Sequence, residues 1–184
     1  MGVGDGIYTL GPASGQLQVK TTRTGLGARA GHDLTIEVTR WNADVIVDAA
    51  QLSASSVTVE VDADSFEVRE GSGGIKPLTD SDRAQIKTTI QQKVLRTGLH
   101  PTMTFRSKRI EGTAESFTVE GDLTIADVTQ PVTVHGQLAD RHVQGSATIV
   151  QTRWGIRPYT GFFGALKLSD EVRVEFSADL TSAA

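Results

Sequence analysis

The sequence predicts an all-β protein, an antiparallel β-barrel of about eight strands with one inserted amphipathic helix. Three observations lead there. Apolar and polar residues alternate with a period of two in segment after segment, turn-forming residues separate the segments, and one stretch abandons the alternation for helical spacing. A period of two puts one set of side chains on a dry face and the other on a wet face. Parallel strands covered on both sides would read as unbroken apolar runs instead.

Leu17 and Val19 open the pattern between Gln16, Gln18 and Lys20. Leu34, Ile36 and Val38 continue it against Thr35, Glu37 and Thr39, and Val57, Val59 and Val61 against Thr58, Glu60 and Asp62. Glycine and serine mark a loop over 70–76. The stretch 79–95 then places Ile86, Ile90 and Val94 on one helical face, and Thr79 with Asp82 forms a capping box in which Asp replaces the usual Glu. Alternation resumes with Met103 and Phe105, then Phe117, Val119 and Leu123, then Val132, Val134 and Leu138, then Val143, Ala147 and Ile149. The last run is the longest, from Leu166 through Val172, Val174 and Phe176 to Leu180. Turns are expected at Trp41-Asn42, Glu111-Gly112 and Asp140-Arg141. A sheet with one dry face must close on itself or pair with a second sheet. The pattern continues through all 184 residues without a shift in composition, so one domain is expected.

The dry face is mostly Val, Ile, Leu and Ala, and aromatic residues make up 5% of the chain. Small lining residues leave volume unfilled, which favours a cavity over a packed sandwich. The absence of cysteine removes disulfides and thiolate metal sites. A net charge of −4, with basic residues dispersed among acidic ones, argues against nucleic acid or an anionic membrane surface as the main partner. No apolar stretch reaches the ~20 residues of a membrane helix, and the glycine-rich start does not read as a signal peptide, so a cytoplasmic location is expected.

Catalytic motifs are weak. Gly25-Leu26-Gly27-Ala28-Arg29-Ala30 matches the outline of a dinucleotide fingerprint, but the strand before it is half-exposed and another strand follows it. A flexible or briefly helical connection is the better reading. His100, His135 and His142 have no metal-ligand spacing, and no nucleophile elbow is present. No enzyme activity, cofactor or metal is expected. The polar residues with most to offer are Arg29 and His32, which enter a strand together and could meet a ligand head group through charge-assisted hydrogen bonds. The segment 153–164 gathers Trp154, Tyr159, Phe162 and Phe163 among glycines, which suits either a lid or a plug at one end of the barrel.

Motifs in a consistent order carry a resemblance to the YceI-like family of polyisoprenoid-binding, lipocalin-like barrel proteins. They are Ala30-Gly31-His32-Asp33-Leu34, Val57 to Asp62 with Ser65-Phe66-Glu67-Val68, and His100 to Ser107. Gly121 to Ile125 with Val128 to Val132, Arg153-Trp154-Gly155-Ile156 and Ser169 to Val172 complete the series. Ala126-Asp127 departs from it, standing where the family usually has a basic residue and glycine. The resemblance implies a binding or carrier protein that holds a polyprenyl phosphate, an isoprenoid quinone or another lipid inside the barrel. Leu34, Ile36, Phe66, Met103, Phe105, Trp154, Phe162 and Phe163 are then expected to line or gate the cavity, with Arg29 and His32 at the head group. The alternative is a filled-barrel interaction or stress protein with no small-molecule ligand. An edge strand left unpaired would favour a homodimer.

Overall fold

The structure, a computed structural model, describes residues 3–161 and 166–182. The first half of the chain forms β1 (Gly6–Leu10), β2 (Gly15–Thr21), β3 (Arg23–Thr24), β4 (Asp33–Val38), β5 (Trp41–Val47), β6 (Ser56–Asp62) and β7 (Phe66–Ser72). Helix α1 (Asp80–Thr89) follows. The second half supplies β8 (Thr102–Thr113), β9 (Ser116–Ile125), β10 (Val128–Ala139) and β11 (His142–Val150). It ends with β12 (Thr160–Gly161), β13 (Leu166–Leu168), β14 (Glu171–Asp179) and β15 (Thr181–Ser182). Twelve strands make one sheet in the order β15-β1-β5-β6-β8-β9-β10-β11-β14-β2-β4-β7, and β12-β13-β3 make a small second one.

Bent strands curl the large sheet. β4 runs on into β5 through Thr39 and Arg40, and β6 into β7 through residues 63–65. At this corner the Thr39 amide donates to the Ser65 carbonyl (2.8 Å) and the Asp62 amide to the Arg40 carbonyl (3.0 Å). The two runs therefore stay paired as they turn. β14 passes into β15 in the same way, beside the turn that joins β1 to β2. With each of these three bent runs counted once, the twelve segments reduce to nine, one more than the alternation predicts. Among the described residues β7 and β15 are each paired on one side only, and the curled sheet is a half-barrel with a gap along β7.

The helix packs against that gap. Thr79 caps α1, its hydroxyl accepting from the Asp82 amide while the Asp82 carboxylate accepts from the Thr79 amide. Beyond Thr89 the coil widens to a π-turn over Ile90–Val94, where the Leu95 amide donates to the Ile90 carbonyl (2.9 Å). Ile86 and Ile90 pack on the cluster that contains Leu34, Ile36 and Phe66, and Lys87 pairs with Glu67 on β7. Val94 and Leu95 reach a second cluster around Ile125, Val132, Ile149 and Trp154.

Three boundaries differ from expectation. Trp41 is the first residue of β5, not a turn, because its indole is buried in the wall and the bend falls two residues earlier. Gly112 lies within β8, where an added Cβ would stand 2.4 Å from the Ser116 carbonyl oxygen, so close strand approach explains the glycine. The turn itself is Ala114-Glu115, between Thr113 and its partner Ser116. β7 also extends to Ser72, paired with Asp33, which shortens the expected 70–76 loop. Asp140-Arg141 is the turn between Ala139 and its partner His142, as expected.

Candidate functional site: an apolar cavity with a polar mouth

The dry faces of the strands meet around a cavity of about 950 Å3. Leu17 and Val19 of β2, Val57, Val59 and Val61 of β6, Val143 of β11 and Val174 and Phe176 of β14 all line it. These side chains point inward, away from bulk solvent, yet they are only half-buried. Residues in a filled core would be buried outright. Their accessibility is the mark of an interior that side chains do not fill.

The cavity is long. Val143 and Ile149, both on its wall, are six residues apart on β11, about 20 Å at the strand rise of ~3.3 Å per residue. Toward one end two rings narrow it. Phe117 stands beside Gly136 and Phe176 beside Gly145, and the two glycines are themselves partners across β10 and β11. A Cβ on Gly136 or Gly145 would come within 2.5 Å or 2.7 Å of the ring next to it. The absent side chains give the rings their place.

Polar groups gather at the other end, where segments 22–32, 73–79, 151–161 and 166–169 come together. His32, Lys76, Asp82, Gln85, Gln151 and Tyr159 are on the cavity wall there. The His32 ring lies 2.7 Å from the Lys76 carbonyl oxygen through Nε2, which therefore carries the proton and donates. Arg23 spans the same loops, its guanidinium donating to the Gly31 and Ser72 carbonyls. Gly73 and Gly74 have φ of 77° and 75° and pass so close to Arg23 and His32 that a Cβ on either would collide with them.

Leu34, Ile36, Phe66, Met103 and Phe105 lie on the cavity wall, and His32 lies on it at the mouth. Trp154 is outside the lining. It is buried behind the wall, with its indole N–H donating to the Leu123 carbonyl (2.9 Å). Arg29 is also outside the lining, exposed on a single turn of 3-10 helix over Ala28–Ala30, the brief helical connection read from the sequence. Phe162 and Phe163 fall outside the described residues. Sequence reasoning missed Lys76, Asp82 and Gln85. The capping box signalled Asp82, but as a helix start, and its carboxylate is held below the ordinary aspartate range by hydrogen bonds from the Thr79 amide and hydroxyl.

Fold and cavity together define a lipocalin-like barrel with a ligand-sized apolar interior. The comparisons with known proteins narrow this further. A family model described as YceI-like domain matches residues 8–180. The chain belongs to the YceI-like domain family. Among solved structures it is similar to BcnA of Burkholderia cenocepacia, with a TM-score of 0.63 and 20% identity over 88% of this chain and 94% of that one. It is similar as well to the YCEI protein of Campylobacter jejuni, with a TM-score of 0.60 and 16% identity over 81% of this chain and 84% of that one. At such identities the shared property is the fold. No curated protein matches the sequence at a significant level.

Proposed function

We propose that this protein binds and carries a long apolar ligand of the polyisoprenoid class, a polyprenyl phosphate or isoprenoid quinone, inside its barrel. The cavity carries the reading: about 950 Å3 of interior space, elongated and lined almost wholly by aliphatic and aromatic side chains. Its volume is near the upper end of ordinary ligand pockets, ~300–1,000 Å3. Affinity would come mainly from apolar area removed from water, at about 25 cal/mol per Å2. The polar end suits a head group, with Lys76 there to supply charge-assisted hydrogen bonds and the second ring nitrogen of His32 left free of the Lys76 carbonyl. Arg29 stands further out, on the approach. Membership of a family of polyisoprenoid-binding barrels supports the same class of ligand. A filled barrel acting only through its outer surface would need interior side chains bulky enough to occupy this volume.

Native mass spectrometry of gently purified protein, compared with the denatured mass, tests the proposal. A discrete excess identified by fragmentation as an isoprenoid is the expected result, and Phe105→Asp is expected to abolish it. A protein that stays at its bare mass after incubation with polyprenyl phosphates and quinones would refute it.

A further inference from the structure

Although the chain as a whole is acidic, the loops at the mouth of the barrel carry only basic charge. Segments 22–32, 73–79, 151–161 and 166–169 contain Arg23, Arg29, Lys76, Arg153, Arg157 and Lys167 and no Asp or Glu. The fold presses these segments together. Lys167 and Leu168 of β13 pair with Thr24 and Arg23 of β3, the Ser169 amide donates to the Thr22 carbonyl, and His32 reaches Lys76. Five carboxylates at the same end have partners of their own, while Glu70 and Glu171 lie exposed on the strands below the loops. Asp33 accepts from the Arg23 amide, Asp80 pairs with Arg83, Asp82 caps α1, Asp127 lies 3.0 Å from His100, and Asp170 accepts from Thr152. Arg29, Lys76, Arg157 and Lys167 are exposed and form no ion pair among the described residues.

Large apolar side chains stand among these cations. Leu26 is fully exposed, and Ile75 and Tyr159 are exposed while also belonging to the cavity wall. The apolar interior is thus continuous with an apolar rim, and the rim is set in positive charge. We propose that this end of the barrel docks on an anionic lipid surface, with Leu26, Ile75 and Tyr159 entering the interface and Arg29, Lys76, Arg157 and Lys167 facing the phosphates. Such a pairing of apolar insertion with basic charge is what peripheral membrane binding requires. A cavity that opens into the bilayer lets an insoluble chain pass between membrane and barrel without crossing water. The docking surface stands on its own observations; the carrier reading supplies only its use.

Co-sedimentation of the protein with vesicles provides the test, using phosphatidylcholine alone and phosphatidylcholine with phosphatidylglycerol, at low and high salt. Retention on the anionic vesicles is expected, weakening with salt, with little on the neutral ones. Each cation removed is expected to lower partitioning about fivefold. Arg29→Glu with Arg157→Glu, two exposed side chains with no ion pair to disturb, should therefore lose well over tenfold. Lys108→Glu, on β8 away from the mouth, should bind as the parent does. Leu26→Ser tests the apolar part and should weaken retention at both salt concentrations. Equal binding of the doubly reversed protein, equal binding to both kinds of vesicle, or no retention at all would overturn the proposal. So would a chemical-shift response of the mouth arginines to inorganic phosphate without vesicle retention, which would mark a site for soluble anions. Native mass spectrometry of the doubly reversed protein reads the cavity ligand separately, so a failure of docking and a failure of the carrier reading are distinguishable.

Discussion

The indole N–H of Trp154 donates to the carbonyl of Leu123 at 2.9 Å, tying the segment after β11 to β9 behind the cavity wall. The Arg153 guanidinium sits over the same ring, 5.6 Å from its centre. Trp41 is buried too, but its indole nitrogen has no hydrogen-bond partner among the described residues. The two tryptophans therefore predict different costs for the same change. Trp154→Phe removes a buried hydrogen bond, about 0.5–1.5 kcal/mol beyond the packing lost in either variant. Trp41→Phe removes an orphan donor along with some packing and should cost clearly less. Urea unfolding of both variants measures the difference, and equal losses would contradict this role for the Leu123 bond.

Unfilled space gives a second prediction. Adding bulk to a packed core costs about 1–3 kcal/mol, whereas adding it beside an empty cavity costs little. Val174 lines the cavity, while Val68 is buried outside the lining. Val174→Phe should stay within about 1 kcal/mol of the parent and lower ligand loading; Val68→Phe should lose more stability. The reverse order would place the free volume elsewhere.

The turn between β9 and β10 is strained by its residues. Ala126 and Asp127 have φ of 49° and 63°, the left-handed region that a two-residue hairpin of this type demands and that asparagine and glycine fill best. Relief of ~1–2 kcal/mol from the left-handed backbone exceeds the added entropy of a glycine in the unfolded chain, ~0.5–1 kcal/mol. Ala126→Gly should therefore stabilise the protein by about 0.5 kcal/mol. A lower urea midpoint would mean that the packing lost with the Ala126 methyl is the larger effect.

Acid should loosen the start of α1. Hydrogen bonds from Thr79 hold the Asp82 carboxyl below its usual value of 3.8. The unfolded chain thus takes up a proton on Asp82 at a higher pH than the folded one does. The carboxylate's contribution is complete above that ordinary value and is lost as pH falls through the lower folded one. Amide exchange in 80–89 should rise over that window, and Asp82→Asn should remove the pH-dependent part. An unchanged pH response in that variant would assign the loosening to another group.

Much of this architecture was legible as alternation. Alternation puts Leu34 and Ile36, Val57, Val59 and Val61, and Val172, Val174 and Phe176 on a dry face, and they line the cavity. Thr79 and Asp82 located the helix start to the residue. The mouth was legible only in part. His32 was found beside Arg29, but sequence proximity to a strand end does not say which side of the wall a side chain occupies, and Arg29 faces solvent. Lys76 was invisible because nothing local distinguishes a lysine in a glycine-rich loop. It reaches the wall because β7 pairs with β4, bringing residue 72 beside residue 33. The aromatic neighbours of Trp154 point to a cavity or gate residue, whereas its hydrogen bond reaches Leu123, on a strand thirty-one positions away.

The sequence by itself determined the strand pattern, the capped helix and the family, since each is written in residues close along the chain or in their fixed order. Tertiary structure decided that the dry faces stand far enough apart to leave a cavity. It also decided that scattered cations share one end of the barrel. Volume and surface charge depend on where distant strands are brought together, and a period of two says only which side of a strand faces inward.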